Sequence, residues 1–139
     1  MVCQEIKDFL AAHADARYAA FVTSLMPGAR PVVGVRLPVL RALAKEIAKG
    51  DWRTYLEEAV DDTFEEVMLQ GYVTGAARMP FEEQMDRMTA YVRKINDWAL
   101  CDSPCSGFKF VRKHREEVWA FLQPYLYSGE VFSQRFAVV

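Results

Sequence analysis

Asp102 follows Trp98 by four residues in the stretch Ile95-Asn96-Asp97-Trp98-Ala99-Leu100-Cys101-Asp102-Ser103-Pro104-Cys105. On an α-helix that spacing puts both side chains on one face about one turn apart, close enough to share a ligand or a partner. The surroundings are apolar, and an unpaired carboxylate in such a place is costly. Asp102 is therefore paired with a cation, turned toward a water-filled cleft, or working on a substrate. A second charge of the same kind lies near the other end of the chain. Val131, Phe132, Phe136, Val138 and Val139 make an apolar helix face, and Arg135 falls within it. Two arrangements satisfy both residues: a direct Asp102–Arg135 ion pair, or a cleft lined by both with Trp98 as its apolar wall.

Two other groups of residues have types that could do chemistry. Arg41, Lys45 and Lys49 recur at intervals of four, giving one helix a continuous basic stripe. That stripe is either a solvated surface with Glu46 among it or a face for phosphates. The three cysteines, Cys3, Cys101 and Cys105, are an odd number and make no disulfide framework. Cys101, Cys105 and His114 fall short of the four ligands of a structural zinc site, so small buried thiols are expected.

The elements that must position these residues read as helices throughout. Ile6, Phe9, Leu10 and His13, with Val2, form one stripe; Tyr18, Phe21, Val22 and Leu25 form the next, capped by Asp15. Met26 to Leu37 is irregular, because Pro27-Gly28 and Pro31 forbid helix and Gly34 allows an unusual backbone. Pro38 opens a helix with Val39, Leu40, Leu43 and Ile47 inside; Gly50 ends it and Asp51 caps the next, whose inner residues include Trp52 and Tyr55. Asp62 with Glu65, or Thr63 with Glu66, makes a capping box for a helix through Val67, Met68, Tyr72, Val73 and Ala76. Phe81, Met85, Met88, Val92 and Ile95 form another stripe, in which the methionines fill core. Asn96 or Asp97 caps the helix of Asp102, which Pro104 and Gly107 end or bend. Lys109 to Leu126 reads as one long helix with Val111, Val118, Leu122 and Tyr125 inside and an outward Lys113–Glu117 pair. Ser128 caps a last helix from Glu130 to Val139.

No strand pattern occurs. Helix starts near Phe64, Trp98 and Gly129 fall about thirty residues apart, which suggests an all-α fold, an α-solenoid of antiparallel helix pairs. The 139 residues suit a single domain over 1–139, and a composition 52% hydrophobic and 26% charged belongs to a globular chain. No apolar run is long enough to span a membrane and no signal-peptide pattern is present, so the expected location is cytoplasmic. The net charge of -2 hides an uneven distribution. Acids dominate from Asp51 to Arg87, and bases from Arg93 to Arg115 through Lys94, Lys109, Arg112 and Lys113. A polyanion responds to the local face, so DNA binding is permitted.

Taken in order, Gly34-Val35-Arg36-Leu37-Pro38-Val39-Leu40-Arg41, Trp98-Ala99-Leu100-Cys101-Asp102-Ser103, Lys109-Phe110-Val111-Arg112-Lys113 and Gln134-Arg135-Phe136-Ala137 resemble the DNA alkylation-repair family, the AlkD-like DNA glycosylases. The Trp-x-x-x-Asp element followed by a later Arg is the most specific part. The resemblance implies a stack of HEAT-like repeats that holds duplex DNA and removes N3- or N7-alkylated purines. Under it Asp102 is the catalytic aspartate, Trp98 the tryptophan facing the sugar and Arg135 the phosphate-contacting arginine. Arg36, Arg41, Lys45, Lys49, Lys109, Arg112 and Lys113 are the expected DNA-binding residues, and no metal or nucleotide cofactor is implied. Family members continue through further helices, so the chain is expected to be the N-terminal part of a longer fold. Some relatives bind DNA structures without excising bases, and a noncatalytic helical-repeat module binding DNA or a protein is the alternative.

Alkylation at N3 or N7 leaves the purine cationic, so it departs as a neutral base and needs no general acid. One carboxylate can then serve where ordinary glycoside hydrolysis generally uses two.

Overall fold

The computed structural model describes the backbone of residues 3–25, 30–96 and 98–138, and every side chain among them except those of Cys3, Trp98, Lys109 and Arg112. Val2, Pro27-Gly28, Asp97 and Val139 lie outside the described residues. Among those residues the chain is all helical: α1 (Cys3–Ala12), α2 (Ala16–Leu25), α3 (Leu37–Lys49), α4 (Trp52–Glu58), α5 (Phe64–Ala76), α6 (Phe81–Val92), α7 (Trp98–Ser106), a 3-10 turn (Lys109–Lys113), α8 (Arg115–Leu126) and α9 (Val131–Val138). Helices α3, α5, α7 and α9 pack each on the next, and α4, α6 and α8 attach to α3, α5 and α9. This is a stack of helix pairs.

The helix starts follow local chemistry. The Asp15 carboxylate accepts from the backbone N–H groups of Arg17 and Tyr18 at 2.9 and 3.1 Å, and that of Asp51 accepts from Thr54 N–H at 3.3 Å. Thr63, rather than Asp62, caps α5: its hydroxyl accepts from Glu66 N–H at 3.2 Å and donates to the Glu66 carboxylate at 3.0 Å. Ser128 Oγ accepts from Glu130 N–H at 3.2 Å ahead of α9.

Helix α5 is the centre of the core. Apolar residues run all round it, and Phe64, Val67, Met68, Leu69 and Val73 are buried between α1, α3, α6 and α7. Glu65, offered by the sequence as a capping-box partner of Asp62, is buried there too, at 0% exposure. Its carboxylate accepts from the backbone N–H groups of Val33 and Gly34, both at 2.9 Å, and of Val35 at 3.2 Å. It thereby ties the irregular strap before α3 to the core. Gly34 has φ +96°, and a Cβ there would sit 2.1 Å from the Asp15 carbonyl oxygen, so the strap requires glycine at this point.

Several sequence expectations are corrected by the packing. In α2 only Val22 is buried; Phe21 and Leu25 are exposed, because no element covers that side among the described residues. The expected long helix from Lys109 breaks at His114, whose backbone has φ -135° and whose ring stacks on Phe81 with centroids 3.8 Å apart. Phe108 and Phe110 turn into the same aromatic cluster, and these contacts override a helical pattern that has no Gly or Pro at the break. Lys113 and Glu117 fall on opposite sides of the break, and no ion pair joins them. In α9, Phe136 is buried and Phe132 partly so, while Val131 and Val138 are exposed, so Arg135 does not lie within a buried face.

Candidate active site

Pro104 and Gly71 set the position of α7. Pro104 has no N–H to give the Leu100 carbonyl four residues back, and that carbonyl accepts instead from the Tyr91 hydroxyl at 2.6 Å. Gly71 of α5 lies under both groups: a Cβ there would be 2.6 Å from Pro104 Cβ and 2.6 Å from the Tyr91 ring. The missing side chain lets α5, α6 and α7 approach closely and fixes which way α7 presents its polar residues.

Asp102 and Ser103, adjacent in α7, serve different neighbours. The Asp102 carboxylate meets Arg135 of α9 through both oxygens. Arg135 Nε donates to Oδ1 at 2.6 Å and Nη2 donates to Oδ2, a two-pronged pair. The pair is not sealed: side-chain exposure is 33% for Asp102 and 45% for Arg135. The hydrogen bonds from Arg135, aided by its charge and opposed by partial burial, hold the Asp102 carboxyl below the usual carboxylate range.

Ser103 points to the other side. Its Oγ is 2.5 Å from the Tyr72 hydroxyl of α5 and accepts from Arg41 Nη2 of α3 at 3.3 Å. The Arg41 guanidinium lies over the Tyr72 ring, 5.5 Å from its centroid. These residues line an open cleft of about 620 Å³ between α3, α5 and α7, together with Lys45, Ser106 and Gly107. Among the described residues no carboxylate lines it. An adjoining cleft of about 500 Å³ shares Lys45 and is lined also by Lys49, Trp52 and Arg78.

The structure thus gathers part of the expected set. Arg41, Lys45 and Lys49 line these two clefts, with Lys49 also 3.5 Å from Glu46. Arg36 stands apart, stacked over Tyr18 at 4.5 Å and 3.7 Å from Asp15. Lys113 is exposed in the 3-10 turn and lines neither cleft; the side chains of Lys109 and Arg112 lie outside the described residues. The Trp98 backbone opens α7 one turn before Asp102, and its side chain likewise lies outside them. Asp102 and Arg135 meet beside the cleft rather than lining it. Tyr72, Ser103 and Arg78 were not singled out by sequence. Tyr72 reads as one more apolar residue of α5, and only its hydroxyl, which needs a partner when half buried, gave a signal.

Among the described residues no group of three or more His, Cys, Asp or Glu could hold a metal ion. Cys101 and Cys105 are buried thiols, not joined in a disulfide. Their mutual hydrogen bond, then burial, push the Cys105 thiol far up.

Residues 6–139 match the family model described as DNA alkylation repair enzyme. The chain belongs to that family. No curated protein and no solved structure gives a significant match. Membership of the DNA alkylation repair enzyme family accords with an all-helical stack that carries a basic cleft, and no helix among the described residues is long and apolar enough to cross a membrane.

Proposed function

We propose that this chain hydrolyses the N-glycosidic bond of cationic N3- or N7-alkylated purines in duplex DNA. The observation that carries the reading is the half-exposed Asp102–Arg135 pair, formed beside a cleft with cations and no acids. A pair made only for stability gains little at such exposure, whereas one at the surface can exchange partners.

In the proposed reaction a backbone phosphate competes for the guanidinium fork of Arg135, and Asp102 is released toward the deoxyribose. As the C1′–N bond breaks, its electron pair goes to the purine and cancels the base's positive charge. Positive charge grows on the sugar, and the Asp102 carboxylate stabilises it. Water attacks C1′ and gives its proton to Asp102 or to solvent. Trp98 is assigned the apolar, electron-rich wall of the sugar site by its place one turn before Asp102 and by the family resemblance. The protonation state fits, since an aspartate carboxyl is ionised at neutral pH and Arg135 lowers the Asp102 value further while the two are paired.

The test is release of 7-methylguanine or 3-methyladenine from methylated duplex, followed by chromatography. Asp102→Asn is expected to lower the rate about 100-fold or more while leaving duplex binding intact. A second reading, a noncatalytic DNA-binding module, is favoured by one observation: both Asp102 oxygens are already taken by Arg135. Absence of base release by the folded wild-type protein would sink the glycosylase reading and leave this one. Release that survives in Asp102→Asn would remove Asp102 from the chemistry.

A further inference from the structure

We infer that Arg41, Tyr72 and Ser103 form a binding site for one DNA backbone phosphodiester, separate from the phosphate contact proposed for Arg135. The inference rests on duplex DNA as the ligand of this surface, and not on base excision.

The case starts from counting protons. The Tyr72 and Ser103 hydroxyls carry two hydrogens between them, and their 2.5 Å contact uses one. Arg41 Nη2 takes up a lone pair of Ser103 Oγ at 3.3 Å. Whichever hydroxyl donates within the pair, one hydroxyl hydrogen is left over, and neither residue has a further acceptor among the described residues. Arg41 donates to Ser103 with one of its five N–H groups and has no acidic partner among the described residues; Lys45, on the same cleft wall, has none among them either. Among the described residues the cleft therefore offers surplus donors and two uncompensated cations, and its lining contains no carboxylate to satisfy them. A ligand that fits is anionic and bears acceptor oxygens.

The surroundings favour a phosphodiester over a free anion. The cleft is open and continues through Lys45 into the second one, where Lys49 and Arg78 extend the line of positive charge. A track of spaced cations suits a repeating charge. Ser103 is also bonded through the chain to Asp102, and neighbouring positions of a helix point about 100° apart. A phosphate held on Ser103 would fix the strand's register relative to the carboxylate that faces α9. Ser103 and Tyr72 are thus positioning residues that touch the strand away from the reacting bond.

The experiment measures binding of undamaged and methylated duplexes by fluorescence anisotropy across a sodium chloride series, for wild type, Arg41→Gln, Tyr72→Phe and Ser103→Ala. Thermal melts establish that each variant is folded. Tyr72→Phe and Ser103→Ala each break the hydroxyl pair that presents the spare hydrogen, Ser103→Ala also releasing Arg41, and each should weaken binding about 3- to 10-fold without changing the salt slope. Arg41→Gln should lower the slope by about one, as for one phosphate contact. Phosphates are then replaced singly by neutral methylphosphonates. At one position the loss should be smaller in Ser103→Ala, which has already lost its hydroxyl contact, than in wild type. Unchanged affinity in both hydroxyl variants, or absence of coupling at every position, overturns the assignment. Displacement of the duplex by millimolar inorganic phosphate, with the same loss in the variants, overturns the phosphodiester in favour of a free anion. Base release is scored separately: a wild type that binds with the predicted coupling but releases no purine refutes the glycosylase proposal and leaves this one standing.

Discussion

Replacing Glu65 should destabilise the fold far more than replacing the exposed acids of the 57–66 run, Glu57, Glu58 and Asp62. Its carboxylate is fully buried and accepts three backbone N–H groups, at 2.9, 2.9 and 3.2 Å, from the strap that leads into α3. Hydrogen bonds to an ionised group contribute about 1.5–3 kcal/mol each, and a buried donor left without its acceptor costs about 1–3 kcal/mol. Of the three donors, those of Gly34 and Val35 are buried and that of Val33 is partly so. Water can replace the acceptor only for Val33. In Glu65→Ala the two buried N–H groups and the vacated volume together suggest a loss of about 3–5 kcal/mol. Glu65→Gln keeps the volume but turns an amide NH2 toward a donor, and about 2–3 kcal/mol is expected. Urea unfolding followed by circular dichroism, with wild type and Glu58→Ala alongside, measures both. The strap also sets the start of α3, which carries Arg41 and Lys45, so duplex affinity should fall in Glu65→Gln under conditions where the protein is still folded. A loss below about 1 kcal/mol in Glu65→Ala would refute the reasoning, since it would mean that the three donors are solvated or paired elsewhere.

Gly71→Ala should be destabilising despite alanine's better helix propensity. A gain of about 1 kcal/mol is opposed by overpacking of about 1–3 kcal/mol against Pro104 and Tyr91, and thermal melting will show the net loss. Asp102 should titrate below about 3.9, the usual value for an aspartate, because of its hydrogen bonds from Arg135. A depressed folded-state value means that the pair's contribution to stability is complete above the unfolded-state pKa and is lost as pH falls through the lower folded value. Arg135→Gln should return the Asp102 titration upward, read by carbon NMR of the carboxyl. Cys101 and Cys105 should resist a disulfide reagent in the native protein and react on unfolding, since burial and their mutual hydrogen bond keep the Cys105 thiol protonated. A Cys3→Ser background isolates the two.

The sequence alone determined what depends on neighbours three or four residues away. Asp15, Asp51 and Thr63 cap their helices because a short polar side chain reaches the N–H groups just ahead of it, whatever the rest of the chain does. The apolar stripe of α3 likewise picked out Leu40, Leu43 and Ile47 of the core, whereas that of α6 found Met88 and Val92 and missed Gln84 and Tyr91, and the family resemblance fixed attention on Asp102 and Arg135. Only the tertiary structure decided what joins residues about thirty or more apart. The same residue type in one acidic run became an exposed Glu57 and a buried Glu65, because only the latter sits where a strap offers three N–H groups. His114 broke an unbroken helical pattern because Phe81, far away in sequence, offered its ring. Asp102 closed on Arg135, and Ser103 beside it joined Tyr72 and Arg41, because α7 packs between α5 and α9. Helical periodicity states which side of a helix is apolar; which partner each polar residue meets depends on how the helices stack.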